Sequence, residues 1–343
     1  MDETMAGGAV YVQTNEPENR VIAFSRAADG SLTPLGEFAT GAAGDAKPHL
    51  TSQGSVIRSG DGRHLLIANV ASDDVSVFRV GTAGLDLVQT TKSGGAAPKS
   101  IAERDGLAYV LNTRTPSVTA FRVEDDGLDP IVDGEHILPA AYAQCAEVGL
   151  SPDGSTLVVT ERATDSIITF SVGLGGRLGE MQATASSGPT PYGFAFTSGG
   201  TLVVTEAFGA AMGRAAVSSY MLRDGALTPV TRSLGNGRSE ICWAVVTPDD
   251  GYAFTTNFAD GAVSRYAIAM DGSLTLEDAT AGISEDGRPG LRDEDLSDDG
   301  RFLYAVDADE RSIVGWAVAS GGSLTPIGSW GGLPRTVAGL AAS

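Results

Sequence analysis

Residues 147–178 read EVGLSPDGSTLVVTERATDSIITFSVGLGGRL and hold three apolar runs of strand length: the end of EVGL, then TLVVT, then SIITFSV. Each is rich in the β-branched and aromatic residues that suit a pleated surface. SPDG separates the first two runs, and its Asp153-Gly154 pair fits a tight turn. Polar ERATD separates the second and third, and GLGGRL leads toward a fourth strand. The window predicts one antiparallel four-stranded sheet.

The same pattern recurs along the chain. Second-strand runs begin at Ala9 (AVYVQTN), His64 (HLLIAN), Leu107 (LAYVLN), Thr156 and Thr201 (both TLVVTE), Tyr252 (YAFTTN) and Phe302 (FLYAVD). Third strands follow as VIAFSR, DVSVFRV, SVTAFRV, SIITFSV, AVSSYML, AVSRYAI and SIVGWAV, and most units then carry a DGSLTP-like hairpin entering an outer strand. Four strands per unit, repeated seven times at a period of about 44–50 residues, predict an all-β, seven-bladed β-propeller with four-stranded antiparallel blades. The first unit lacks its own inner strand, and an unused strand, TVAGLAA, stands after Arg335. The C-terminal strand is therefore expected to close the first blade and remove two sheet edges. This makes residues 1–343 one domain, with residues 1–8 expected as a flexible N-terminal segment.

Charge and composition exclude several partners. The net charge is −20 and the lysines are Lys47, Lys92 and Lys99, which argues against nucleic acid or an anionic membrane. No apolar run is long enough to span a bilayer. Met1 precedes acidic and small residues instead of a secretory leader. The expectation is a soluble protein, cytoplasmic as written, or periplasmic or secreted if a leader was removed. Cys145 and Cys242 are too few for a disulfide framework and lack metal-ligand spacing.

Propeller geometry selects a face. The start of each inner strand and the end of each second strand share one channel mouth, onto which the interblade loops also open. Aligned on their turns, the inner strands put Ser55, Lys99, Glu147, Gly193, Trp243, Asp293 and Val337 at one level. Second-strand ends add Asn69, Asn112, Glu161, Glu206, Asn257 and Asp307, and the loops add His49, His136, Tyr192, Glu240, Arg292 and Arg335. The Asn and Asp ends read as turn caps. RDED at 292–295 also fits an ion-pair network, and Tyr192 and Trp243 also fit channel packing. The Gly/Ala-rich stretch 207–216, AFGAAMGRAA, is expected to form a mobile flap over the mouth.

With YVQTN, LLIAN, SPDGSTLVVTE, TPYGFAFT and CWAVVT in view, the chain resembles the lactonase-like seven-bladed propeller family. Its named members are 6-phosphogluconolactonases and 3-carboxymuconate lactonising enzymes. The resemblance implies a small-molecule site at the channel mouth, acting on a lactone or its open acid without an obligatory metal. Of the family's Pro-Arg-His entering the inner strands, only Arg292 keeps its residue, and the glutamate ending a second strand is matched by Glu161 and Glu206. That exchange predicts an acidic mouth and a less anionic substrate than a sugar phosphate.

Three functions compete. The first is lactone hydrolysis or the reverse cyclisation, with Glu161 or Glu206 as general base and Arg292, helped by Lys99 or Arg335, facing the oxyanion or a substrate carboxylate. In this reading His136 or His49 protonates the leaving oxygen, and Glu147, Tyr192, Trp243 and Asp293 contact substrate. The second is a binding propeller without chemistry. The third is a metal-assisted lactonase, with a divalent cation on Glu147, Glu161, Glu206 or Asp293.

Overall fold

The structure, a computed structural model, describes residues 7–48, 50–284 and 287–343. The expected flexible segment over residues 1–8 lies largely outside these residues, and His49 lies outside them as well. Middle strands of the blades are apolar on both faces, so each must be covered from two sides. The second strands His64–Asn69 and Phe302–Asp307 are buried along their whole length. Seven four-stranded antiparallel sheets satisfy this by standing face to face around a channel. Adjacent blades interdigitate: Leu66, Val75 and Val77 of blade 2 pack with Ile101, Val110 and Phe121 of blade 3. Each such side chain fully removed from water contributes on the order of 1.5–3 kcal/mol.

The seven second strands fall where the repeat places them. Closure follows the expected route: Ala338–Ala342 pairs antiparallel with Ala9–Gln13, in the order C-terminal strand, first, second and third strand of the chain. The repeated turns are held by side chains. In SPDG the Ser151 hydroxyl donates to Asp153 Oδ1 at 2.6 Å, and Gly154 takes φ 69°. The pairs Ser59–Asp61, Thr247–Asp249 and Ser297–Asp299 repeat that bond, also at 2.6 Å.

The hairpin glycines have a second use. Tyr304 and Tyr109 donate their hydroxyls to the carbonyls of Gly30 and Gly176 in the next blade, at 2.7 and 2.8 Å. A Cβ on Gly30, at φ 86°, would lie 2.4 Å from the Phe302 ring. These two turns therefore bolt their outer hairpins to the neighbouring blade. No helix among the described residues is long and apolar enough to cross a membrane.

Candidate functional site

The mouth is built by two positions that recur in several blades. The residue before four of the inner strands takes a left-handed backbone: Ala97, Gln144, Thr190 and Glu240 have φ of 57°, 51°, 60° and 54°. A β-bulge follows immediately. Register skips between Pro191 and Phe194, between Ile241 and Ala244, and between Leu291 and Glu294. Bulges re-aim side chains. Here they turn Tyr192, Cys242 and Arg292 into one cavity of about 610 Å³, which Gln144, Thr190 and Glu240 also line.

Two guanidinium groups border this cavity. Arg162 lies with Cζ 4.9 Å from the Tyr192 ring centroid and donates from Nε to the Gln144 carbonyl at 3.0 Å. Arg292 lies with Cζ 4.7 Å from the Phe258 ring centroid. Stacking of this kind holds a cation without neutralising it. Arg292 is only 7% exposed, and its Nε and Nη1 have no hydrogen-bond partner among the described residues. Glu240 is the one carboxylate among the described residues lining the cavity. The remaining wall is mostly apolar, from Ala163, Ala207, Ala210, Ile241 and Phe258. Burial pushes the Cys242 thiol well above its ordinary range, and it donates to the Glu240 carbonyl at 3.4 Å. Cys242 is a thiol, not an activated nucleophile.

The acidic mouth is not what the fold builds. Glu161 and Glu206 end their strands with buried carboxylates that are not part of the mouth cavity's lining. Glu161 accepts from Thr164 at 2.7 Å, and burial raises its pKa. Glu206 accepts the Ser218 hydroxyl at 2.5 Å and the Gly188 amide at 2.8 Å. This is the place where Asn69 and Asn257 bond Ser76 and Ser264 in their own blades. Glu206 thus does the work of the asparagines, whereas Glu161 bonds Thr164 of its own turn and its other oxygen has no partner among the described residues. Glu147 is not on their rim. Beyond the bulge at Ala146 it pairs with Thr160, and its Oε2 accepts the Phe194 amide at 2.6 Å. It faces a second chamber of about 510 Å³ at the opposite end of the channel, shared with Glu294 and Asp295.

The other expected residues scatter. His136 lies in the outer strand Gly127–Ile137, opposite Val118 and against Phe170, not in an interblade loop. Trp243 is fully buried and donates from Nε1 to the Ser52 carbonyl at 3.0 Å. Asp293 is sealed in the wall beside Arg292, and Arg335 is exposed outside the cavity lining. Lys99 donates to Thr51 Oγ1 at 3.3 Å, its pKa lowered by burial. The stretch 207–216 is not a free flap. Ala207 and Phe208 amides donate to the Thr190 and Pro189 carbonyls, and the Gly209 amide to Thr190 Oγ1, which makes its first residues mouth wall. Arg162 was the residue sequence reasoning passed over. Its signal was its place in ERATD, a loop of the kind that opens on the mouth. Among the described residues, no three His, Cys, Asp or Glu side chains are gathered to hold a metal ion.

The walls store a pH dependence. Burial raises Asp293 and Asp295 to about 7 and pushes Glu147 and Glu294 well above the carboxylate range. A carboxyl whose folded pKa is raised holds its proton in the native state while the unfolded chain ionises, so stability falls as pH rises. For Asp293 and Asp295 the window runs from about pH 4 to about pH 7. The turn residues Asp153 and Asp249 are shifted the other way, by the hydroxyls of Ser151 and Thr247, and lose their contribution only in stronger acid. Urea melts across this range are expected to show lower stability at pH 7.5 than at pH 5. A flat or rising profile would contradict the burial of these acids.

The comparisons agree with this architecture. None of the curated proteins compared with the chain matches it. Among solved structures, a candidate 6-phosphogluconolactonase from Bacteroides fragilis is 20% identical at a TM-score of 0.76, covering 99% of both chains. Its counterpart from Bacteroides uniformis is 18% identical at 0.75, covering 97% of this chain and 99% of that one. A periplasmic gluconolactonase from Pseudomonas aeruginosa is 18% identical at 0.73, covering 97% and 98%. The family model described as "Lactonase, 7-bladed beta-propeller" matches residues 4–130 and 107–207, more than half of the chain. The chain belongs to the seven-bladed β-propeller lactonase family.

Proposed function

We propose that the mouth cavity hydrolyses a lactone, or closes the reverse ring, with Arg292 and Arg162 facing the acyl oxygens and Glu240 activating water. The observation that carries this reading is Arg292: a buried guanidinium whose Nε and Nη1 have no hydrogen-bond partner among the described residues, on the wall of a cavity lined by one carboxylate among those residues. A buried cation compensated only by stacking on Phe258 and the nearby Asp293 is costly, so its presence implies a ligand that supplies negative charge. Developing charge on a lactone carbonyl and the carboxylate product both fit. A base-activated water needs no protein nucleophile, which suits a site whose cysteine is held as a thiol. The apolar wall offers few partners for ring hydroxyls, so the reading favours a lactone with an alkyl or aryl body over a polyhydroxylated sugar.

The test is a panel of lactones and enol esters assayed with and without a chelator. Turnover is expected with chelator present, and loss on chelation would promote the cation reading. Absence of turnover across the panel would leave a binding propeller. Within the panel, Glu240→Gln should lower kcat by about 10²–10⁴. Glu161→Gln and Glu206→Gln should stay within a few-fold of the parent, because those carboxylates are wall acceptors. A collapse of kcat in either of the latter, with Glu240→Gln unaffected, would return the base to Glu161 or Glu206.

A further inference from the structure

Thr190 stands in the register position that Glu240 occupies in the next blade. Each immediately precedes an inner strand, Pro191–Phe196 and Ile241–Val246, and each takes a left-handed backbone, at φ of 60° and 54°. For a β-branched residue that conformation is a genuine outlier. Strain of this kind persists only where the surroundings over-determine it, and it collects at functional sites. Around Thr190 they do. Its amide donates to Asp165 Oδ1 at 2.7 Å, in the loop after the second strand of blade 4. Its carbonyl accepts the Ala207 amide at 2.9 Å, and its Oγ1 accepts the Gly209 amide at 3.0 Å.

The residue so fixed lies on the mouth cavity. Thr190 is half-buried and lines it together with Gly209, in blade 5, between Arg162 of blade 4 and Glu240 of blade 6. Its hydroxyl is prepared to donate. Oγ1 already accepts one hydrogen bond, which polarises its own O–H. The proton of that O–H goes to no acceptor among the described residues. Lactone chemistry has a use for such a donor. Arg292 and Arg162 serve the acyl oxygens and Glu240 the water, which leaves the ring oxygen to a further group. His136 is not part of the cavity lining.

We infer that Thr190 is a catalytic residue that hydrogen-bonds the ring oxygen of the lactone as the acyl C–O bond breaks. The inference rests on the mouth cavity being the lactone site. The water oxygen bonds to the acyl carbon, Glu240 takes a proton from that water, and the ring oxygen leaves with the electron pair of the broken bond. Thr190 keeps its own proton and shares it with the leaving oxygen. The proton held by Glu240 then passes to that oxygen, which gives the hydroxy acid and restores the carboxylate. The shared proton matters most where the leaving oxygen is strongly basic, as in an aliphatic lactone. It matters least where a phenoxide leaves.

The experiment compares δ-valerolactone, which expels an alkoxide, with dihydrocoumarin, which expels a phenoxide, on the parent, Thr190→Val, Thr190→Ala and Thr190→Ser. The readout is the ratio of kcat/KM for the two lactones within one preparation, which a loss of folded protein does not move. Thr190→Val and Thr190→Ala should lower kcat/KM on δ-valerolactone by about 10- to 100-fold and leave dihydrocoumarin within a few-fold. Thr190→Ser keeps the hydroxyl and should hold the parental ratio. An equal loss on both lactones would make Thr190 a clamp on residues 207–210 and overturn the inference. So would an unmoved rate, or a serine variant as impaired as valine. Each of these outcomes leaves the functional reading intact. If the parent hydrolyses no lactone, the functional reading falls and the inference falls with it. Should the parent act only on other lactones, an alkoxide-leaving and an enolate-leaving pair takes their place. Should the valine variant fail to fold, the alanine variant decides.

Discussion

Arg292→Ala lowers kcat/KM by about 10²–10³ on any lactone the parent hydrolyses, while the melting temperature stays level or rises. The two halves of this expectation come from one observation. Arg292 is buried in the mouth wall, and its Nε and Nη1 have no hydrogen-bond partner among the described residues. Its folded-state return is the stacking on Phe258 and attraction to Asp293. Against that stands the desolvation of an ion, several kcal/mol before compensation. A residue kept for stability would cost stability when removed. A residue kept for a ligand costs activity instead. Arg292→Lys keeps the charge but loses the planar fork, so it should recover only part of the rate. Guanidinium ion added to Arg292→Ala should restore part of what lysine does not. If Arg292→Ala melts early and retains its rate, the residue is a structural element and the proposed chemistry is wrong.

Removing residues 335–343 is expected to abolish cooperative folding at the parental temperature. The strand Ala338–Ala342 is the inner strand of blade 1, and all five of its residues are buried. Without it, Ala9–Gln13 becomes an open edge, and the side chains of Leu340 and Ala341 leave the clusters they share with Val10, Val12 and Leu65. Arg26 also loses the Ser343 carbonyl, to which it donates from Nε at 2.7 Å, and the Asp295 carboxylate loses the Ala342 amide. The ring then opens at blade 1, which stands between blades 7 and 2. A melting temperature lowered by tens of degrees, or an unfolded product, is expected by circular dichroism. A peptide of residues 335–343 added in trans should recover part of the loss. A truncated chain melting with the parent would mean that the ring closes by another route.

Much of the fold was legible because each blade repeats local rules. Strand runs, Ser-Pro-Asp-Gly turns and hairpin glycines all act over a few residues. TLVVTE reads as a strand in isolation and is one in both copies. The displaced inner strand was legible by counting, since a unit lacking one strand and a strand lacking a unit have one economical solution. The site was not legible in the same way. Alternation along an inner strand was extrapolated through positions where the structure has a bulge, and one skipped residue moves the next side chain to another face. Glu147 went to the second chamber for that reason.

Local chemistry therefore determined the blades, their number and their closure, and the chain order alone placed Tyr192, Glu240 and Arg292 near one mouth. Which carboxylates open into that mouth was decided by partners distant in sequence. Glu206 is held by Ser218 on the next strand of its blade and by the Gly188 amide in the loop arriving from the preceding blade. Gln53 finds Ala244 across 191 residues of chain. A backbone donor or acceptor sealed from water must find a partner wherever the ring brings one, and that demand is invisible until the ring is closed.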